Sequence, residues 1–391
     1  MANLQSLIHS TLTVVADGPR MSYSLTTLWY ERARFFPGVL AVAFSAMLIA
    51  LQCGLLLGLF SITSIPIDES RADIWVAHPD VPSVDLGHTI PEAWLAYLSM
   101  PEVERIEPYM EGFAYWIKPT GGMELCLVIG TRLGPDAMGP VHKLTPEHRA
   151  LLAQPGAIVV DEGEFGRLGI KKIGDTTEIF PGKQVRVVGT VTGLRSLAGP
   201  YVFCSLETAR SVLRPPPDQT TFILARCRNK EDAPAIVARL NKYDRKIMAM
   251  TAAEFSFRSQ WHWLTKTKAG IALGMAAILG LMVGAVVTFQ TLRSATAASL
   301  KEYAVLRALG VPRSRMMLMV LSQSFWVGIA GIAIAVPLII SLAVVGNLGA
   351  KVILPWWLWV ASISITMTVA LMSGVLALRT LRHVEPVELL R

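Results

Sequence analysis

Four stretches of this chain carry no charged side chain, and each is long enough to cross a lipid bilayer. They lie between Arg34 and Asp68, Lys268 and Arg293, Arg315 and Lys351, and Lys351 and Arg379. A hydrocarbon core of about 30 Å needs roughly 20 apolar residues in a helix, which pairs every backbone polar group internally. Charged residues make up only 17% of the 391, against about 25% in soluble chains. The chain therefore reads as an integral membrane protein, and soluble enzymes are the wrong class.

Charge divides with the same boundaries. Residues 62–265 carry a net −2 and the remainder +9, which together give the +7 of the whole chain. The positive charge thus flanks the spans and does not form a basic face on a folded domain, so no nucleic acid is expected as a partner. Arg20, Arg32 and Arg34 precede the first span; Arg293, Lys301, Arg307, Arg313 and Arg315 separate the second from the third; Arg379, Arg382 and Arg391 follow the fourth. By the positive-inside rule these segments are cytoplasmic. Trp261, Trp263, Trp356, Trp357 and Trp359 then gather at the outer interface, where tryptophan is enriched.

The expected order follows. A cytoplasmic segment over 1–35 leads into a span over 36–61 and an extracytoplasmic domain over 62–265. A second span over 266–292, a cytoplasmic segment over 293–315 and a third span over 316–344 come next. An external loop over 345–355, a fourth span over 356–378 and a cytoplasmic tail over 379–391 complete it. The first span outlasts a signal-peptide core and no A-x-A site follows, so it reads as an uncleaved anchor. Residues 22–36 (SYSLTTLWYERARFF) suit either an interfacial helix or a plain cytosolic extension of the span. Residues 1–20 give no readable signal.

Within 62–265, short β-branched runs read as strands: Ala72–His78, Glu124–Gly130, Ala157–Val160, Gln184–Val191, Thr221–Arg226 and Lys246–Met250. Helical spacing marks Pro91–Leu98, Leu206–Leu213 and Lys230–Asn241. Pro215–Pro217 reads as a divider between an earlier and a later half. The fold class is an α+β membrane protein: four transmembrane helices, N-terminus and C-terminus inside, with a large mixed α/β extracytoplasmic domain between the first two spans.

No catalytic residue is identified. The sequence has no G-x-x-x-x-G-K-[ST], no G-x-G-x-x-G, no H-E-x-x-H and no C-x-x-C, so no bound nucleotide and no metal are expected of this chain. His142 and His148 read as solvated loop residues. Asp161, Glu162 and Glu164 suit a solvated turn before a helix N-terminus better than a cation site or paired carboxylates. Cys126, Cys204 and Cys227 are compatible with one disulfide or with buried thiols. No acidic or basic residue interrupts a span, so no ion relay is visible there. Gly54-x-x-x-Gly58, Gly270-x-x-x-Gly274 and Gly280-x-x-x-Gly284 allow close helix approach, either between copies or within one chain.

The loop after the second span reads SLKEYAVLRALGV over Ser299–Val311, then PRSRMMLMVLSQ over Pro312–Gln323. This resembles the signature of the MacB/FtsX superfamily of ABC-transporter membrane subunits, E-[IY]-A-x-L-[RK]-A-L-G. Glu302, Tyr303, Ala304, Leu306, Arg307, Ala308, Leu309 and Gly310 match it, with Tyr303 where an aliphatic residue is more usual. The run AIVVDEGEFGRLGIKKIGDTTEI before VRVVGTV, and the closing EPVELLR, are similar to the same family. The SYSLTTLWYERARFF entry and the PEVERIEP segment most resemble DevC-like permeases.

The resemblance implies a homodimer packed through the first two spans, with Gly54, Gly58, Gly280 and Gly284 as packing positions. It implies a separate ABC ATPase subunit in two copies that binds the ATP and magnesium. It further implies a periplasmic adaptor, an outer-membrane channel and a bacterial inner membrane. Lys301, Glu302, Tyr303, Leu306, Arg307, Leu309 and Gly310 would form the ATPase-coupling element; Gly310 suits a left-handed helix stop and Pro312 the start of the next helix. Topology alone also fits arginines that only fix orientation. The expected function is ATP-driven export of an amphipathic or lipid-like substrate, by relay of movement to the external domain and in contact with membrane lipids. The alternative is an FtsX-like scaffold relaying ATPase state to an external enzyme such as a cell-wall hydrolase. A membrane-anchored enzyme lacks any catalytic constellation.

Overall fold

The computed structural model describes residues 32–119, 121–179, 182–243, 246–298, 305, 309–346 and 352–381. Residues Leu59–Ile271 form one body; the residues up to Gly58 and from Ala272 onward form the other.

The second of these is helical. Arg32–Ser61, Lys268–Ala298, Arg313–Gly346 and Trp356–Leu381 are its helices, and all four are long and apolar enough to cross a membrane. Small residues set their packing, as in lipid, where van der Waals fit replaces the hydrophobic drive. Ala43, Ala46 and Ala50 of the first helix share a face and meet Ala335 and Ile339 of the third. Val39 and Val42 meet Val327 and Ala370. Half of the first helix's apolar window is buried, but only 11% of the second's.

The body Leu59–Ile271 is built on one large sheet. Its strands are β1 (Ile74–Ala77), β2 (Ile90–Pro91), β3 (Val103–Ile117), β4 (Met123–Thr131), β5 (Ala157–Asp161), β6 (Thr176–Ile179), β7 (Gln184–Val191), β8 (Tyr201–Ser205), β9 (Gln219–Thr220), β10 (Phe222–Cys227) and β11 (Met248–Thr251). The main order is β11-β1-β10-β3-β4-β8-β5-β7-β6, and β6 returns to pair with β3 through Trp116 and Ile117. Six strands therefore close a ring around Trp116, Val128, Ile158, Val187 and Val202. The open wing β11-β1-β10-β3 buries Ile74, Val76 and Ile223 under the helix Ala233–Tyr243, through Ile236, Val237 and Leu240. Its other face holds Trp75, Tyr109, Phe222 and Leu224, with Phe255 of the helix Ala252–Lys266 packed among them.

Pro215–Pro217 does not divide this body: β10, after the prolines, inserts between β1 and β3, both before them. The prolines occupy the connection between the helix Leu206–Leu213 and β9, where a missing N–H is harmless. The helix Ala252–Lys266 opens on a capping box. Thr251 accepts from the Glu254 N–H, and Glu254 accepts from the Thr251 N–H.

Candidate functional site

The expected coupling segment ends in a defined joint. The Leu309 N–H donates to the Val305 carbonyl at 3.0 Å, one helical turn, and Gly310 then adopts φ +88°. Only glycine takes that conformation freely. A Cβ on Gly310 would meet nothing within 4 Å, so backbone conformation and not space demands the glycine. The Pro312 carbonyl accepts from Arg315 and Met316 and opens the helix Arg313–Gly346. Leu309 is 76% exposed beside the joint. Lys301, Glu302, Tyr303, Leu306 and Arg307 lie outside the described residues, as do 1–31, the tail 382–391 and 347–351 of the third-to-fourth connection.

The glycines among the spans find partners within the chain. A Cβ on Gly280 would come within 3.1 Å of Gln52, and one on Gly284 within 3.2 Å of Ser45. Ser45 Oγ donates to the Gly284 carbonyl at 2.6 Å and pairs with Thr288 Oγ1 at 2.7 Å; Gln52 Nε2 donates to the Ala276 carbonyl at 3.3 Å. The first and second helices are thus joined by a small-residue seam with polar rungs. Gly54 packs instead on the stretch before the fourth helix: its carbonyl accepts from Ile353, and its absent Cβ leaves room for Leu354. Gly58 is buried. Gly270 lies in the first turn of the helix Lys268–Ala298, where a Cβ would strike the Trp263 and Leu264 backbone.

The candidates in the body Leu59–Ile271 resolve into structural roles. Asp161, expected in a solvated turn, is 1% exposed. Its carboxylate accepts from Gly163 N–H at 2.9 Å and Leu194 N–H at 2.7 Å, capping the turn that ends β5 and anchoring a second loop. Glu162 is exposed. Glu164 is buried 3.8 Å from Arg167; burial pushes its carboxyl upward while Arg167 and Arg195 oppose that. His142 is exposed, but His148 is not a loop residue. It lies on the helix Pro146–Leu152, half-buried over Gly189, whose missing Cβ makes the room. Cys53, Cys126, Cys204 and Cys227 are all free thiols. Cys126 and Cys204 line the ring and Cys227 the wing, so no disulfide forms. Trp263, expected as an interfacial anchor, turns inward and donates to Asp85 Oδ1 at 3.1 Å.

Among the described residues, no group of three or more His, Cys, Asp or Glu is placed to hold a metal ion. The groups that sequence reading missed entirely are Asp85 and Glu111, both buried. Their signal was an acidic residue in an otherwise apolar stretch.

Family models match the chain in two blocks, the first running from within the first apolar helix through most of the body Leu59–Ile271 and the second over the later apolar helices. A MacB-like periplasmic core domain matches residues 39–243, and an FtsX-like permease C-terminal matches residues 274–386. No curated protein sequence matches the chain. Among solved structures, the periplasmic region of MacB from Actinobacillus actinomycetemcomitans is similar at 11% identity and TM-score 0.34, covering 49% of this chain and 94% of that one. The extracellular domain of the noncanonic ABC-type transporter YknZ from Gram-positive bacteria is similar at 9% identity and TM-score 0.31, covering 45% of this chain and 98% of that one. With the first match alone spanning more than half of the sequence and the second taking up the apolar helices that follow it, the chain belongs to the MacB/FtsX superfamily of multi-pass ABC-transporter membrane subunits.

Proposed function

We propose that this chain is the membrane subunit of an ATP-driven export complex of the MacB/DevC type. A separate cytoplasmic ATPase, present in two copies, binds ATP and magnesium, and this chain relays its closure to the extracytoplasmic domain. The substrate is amphipathic or lipid-like and need not pass between the spans, whose interiors contain no charged residue. The orientation is N-terminus and C-terminus inside, in a bacterial inner membrane, with a periplasmic adaptor and outer-membrane channel beyond.

The observation that carries this reading is the joint at Gly310. A glycine held at φ +88° between a helical turn and a new helix fixes the direction of the turn, and Leu309 stands exposed upon it. An orientation-fixing loop needs charge alone and no such stop.

A homodimer accompanies the reading. Ile271, Met275, Ile278, Met282 and Val286 are exposed. At about 100° per residue they lie on the side of the second helix opposite Gly280 and Gly284. That stripe offers a second copy a surface that the glycine seam does not.

The test pairs Glu302→Arg with Gly310→Val in membranes that also contain an ABC ATPase that co-purifies with the wild-type chain. Both variants should insert normally, lose transport, and lose the stimulation of ATPase activity. Wild-type transport and assembly in both would reduce the segment to a topological anchor. Stimulated ATPase with no substrate moved by the wild type would leave the regulatory scaffold.

A further inference from the structure

The described core of the extracytoplasmic body contains a group of polar atoms that no protein neighbour satisfies. Glu111 sits in β3 opposite Ile129, 4% exposed, and neither carboxylate oxygen has a partner. The short 3₁₀ turn Val84–Leu86 packs against β3 and brings Asp85, 5% exposed, whose Oδ2 also has none. Tyr109, two residues from Glu111 on the same strand face, is fully buried with an unpartnered hydroxyl. Two carboxylates in an apolar core cannot both stay ionised without a compensating charge, and Asp85 is the one charged group acting on Glu111.

The surroundings are otherwise uncharged or committed. β4 contributes Ile129, and the link between β9 and β10 contributes Thr221, whose hydroxyl accepts from the Glu111 N–H. β8 contributes Tyr201. The helix Ala252–Lys266 contributes Ser259 and Trp263, while its Glu254 and Arg258 are exposed and its His262 is half-buried. Glu107, four residues back, is taken by the Met138 N–H at 2.9 Å and by Arg105 at 3.7 Å.

Asp85 and its turn touch the segment that leads into the second apolar helix, and Tyr201, beside the group, touches the segment that follows the first. Asp85 Oδ1 accepts from Trp263 Nε1 and from the Ser83 hydroxyl. Val84 N–H donates to Ser259 Oγ at 3.1 Å. The Tyr201 hydroxyl donates to the Ile62 carbonyl at 3.4 Å, directly after the first helix.

We propose that Glu111 and Asp85 form an internal proton-binding site, which holds one proton when the two tethering segments are docked and releases them when the proton is lost. A protonated Glu111 donates its O–H toward Asp85 Oδ2. One proton thus gives two partnerless carboxylates a shared hydrogen and removes one of two like charges from the core. Burial raises the Glu111 carboxyl well above its ordinary range, and the Asp85 charge raises it further. The folded-state value lies above the unfolded one. The stabilisation is therefore complete below 4.5, the ordinary Glu value, and is lost as pH rises through the folded value.

The experiment uses the full chain in detergent. At pH 7 the infrared carbonyl stretch of a protonated carboxyl should be present in wild type and absent in Glu111→Gln. Between pH 5 and 8.5 the melting temperature of wild type should fall relative to Glu111→Gln, histidine effects cancelling in the difference. If that variant does not fold, wild type alone decides: amides of residues 62–69 and 256–263, corrected for intrinsic exchange, should lose protection as pH rises. An absent carboxyl band, a constant melting difference or unchanged protection would overturn the proposal. So would added calcium chloride abolishing the pH dependence, because the two carboxylates would then be holding a cation.

Discussion

Ser45 Oγ donates to the Gly284 carbonyl at 2.6 Å across the first and second apolar helices. A bond to a helical carbonyl is possible only where the backbones come close, and the missing Cβ of Gly284 is what permits it. The glycine motif of the second helix is thus occupied within one chain. In the proposed homodimer, the remaining face of that helix is the one left for a second copy.

That geometry predicts a cross-linking pattern. A cysteine at Met282, in a Cys53→Ser background, should link copy to copy with a short bifunctional reagent in native membranes. A cysteine at Gly284 should not. Gly284→Leu should lower the thermal stability of the helical body by about 1–3 kcal/mol through overpacking against Ser45. If Gly284 links and Met282 does not, the dimer face is the glycine seam after all.

The joint at Gly310 predicts a graded series. Because a Cβ there meets nothing, the cost of substitution is conformational, on the order of 1–2 kcal/mol for a β-branched residue. Gly310→Asn should retain most ATPase stimulation, since asparagine tolerates positive φ, and Gly310→Val should retain least. Equal loss in both would point to a steric contact with the ATPase and not to the turn.

Asp161 predicts a stability effect with no catalytic counterpart. Asp161→Ala leaves the N–H groups of Gly163 and Leu194 without their acceptor, at about 1–3 kcal/mol per buried orphan. The melting temperature of the body Leu59–Ile271 should drop, and Asp161→Asn should recover part of it. An unchanged melting temperature would mean that water replaces the carboxylate at both sites.

The thiols should be silent. Burial pushes Cys126 up to about 12 and Cys227 up to about 11, and raises Cys204 as well. Since the thiolate is the reactive form, maleimide should leave all three unmodified at pH 8 until denaturant is added. Fast labelling of the native chain would show that the core opens.

Orientation can be read with the same chemistry. An impermeant maleimide applied to intact spheroplasts should modify a cysteine placed at Asp136, which is exposed, and spare one at Ser314. The opposite pattern would invert the proposed topology.

How much of this was legible depended on whether charge and burial agreed. Gln184–Val191 alternates exposed and buried residues along its length, so period two revealed it. Val103–Ile117 carries Glu104, Arg105, Glu107, Pro108 and Glu111 in 15 residues, a composition that hides a strand. Two of those acids are buried, with Glu107 held by a backbone N–H and an arginine that composition cannot place beside it. The helix Ala252–Lys266 was masked by its polar face, although Thr251 and Glu254 spelled its start. The apolar helices and the turn at Gly310 were plain because each follows from a local rule. The glycine seam was visible as a motif, but its partner was not: helix pairing is set by which small residues face each other, and Ser45 and Gly284 are 239 positions apart.

Strand β3 has a mechanical consequence. Its first half pairs with β10 in the open wing, its second half with β4 in the ring, and its last two residues also with β6. Fifteen residues of extended chain make a girder of about 50 Å shared by both halves of the body. With its hydrogen bonds lying across its length, a pull along the girder loads them in shear, many at once, and not one by one as in a zipper. Wing and ring must therefore translate together, and any give in this body has to come from its loops or from its tethers.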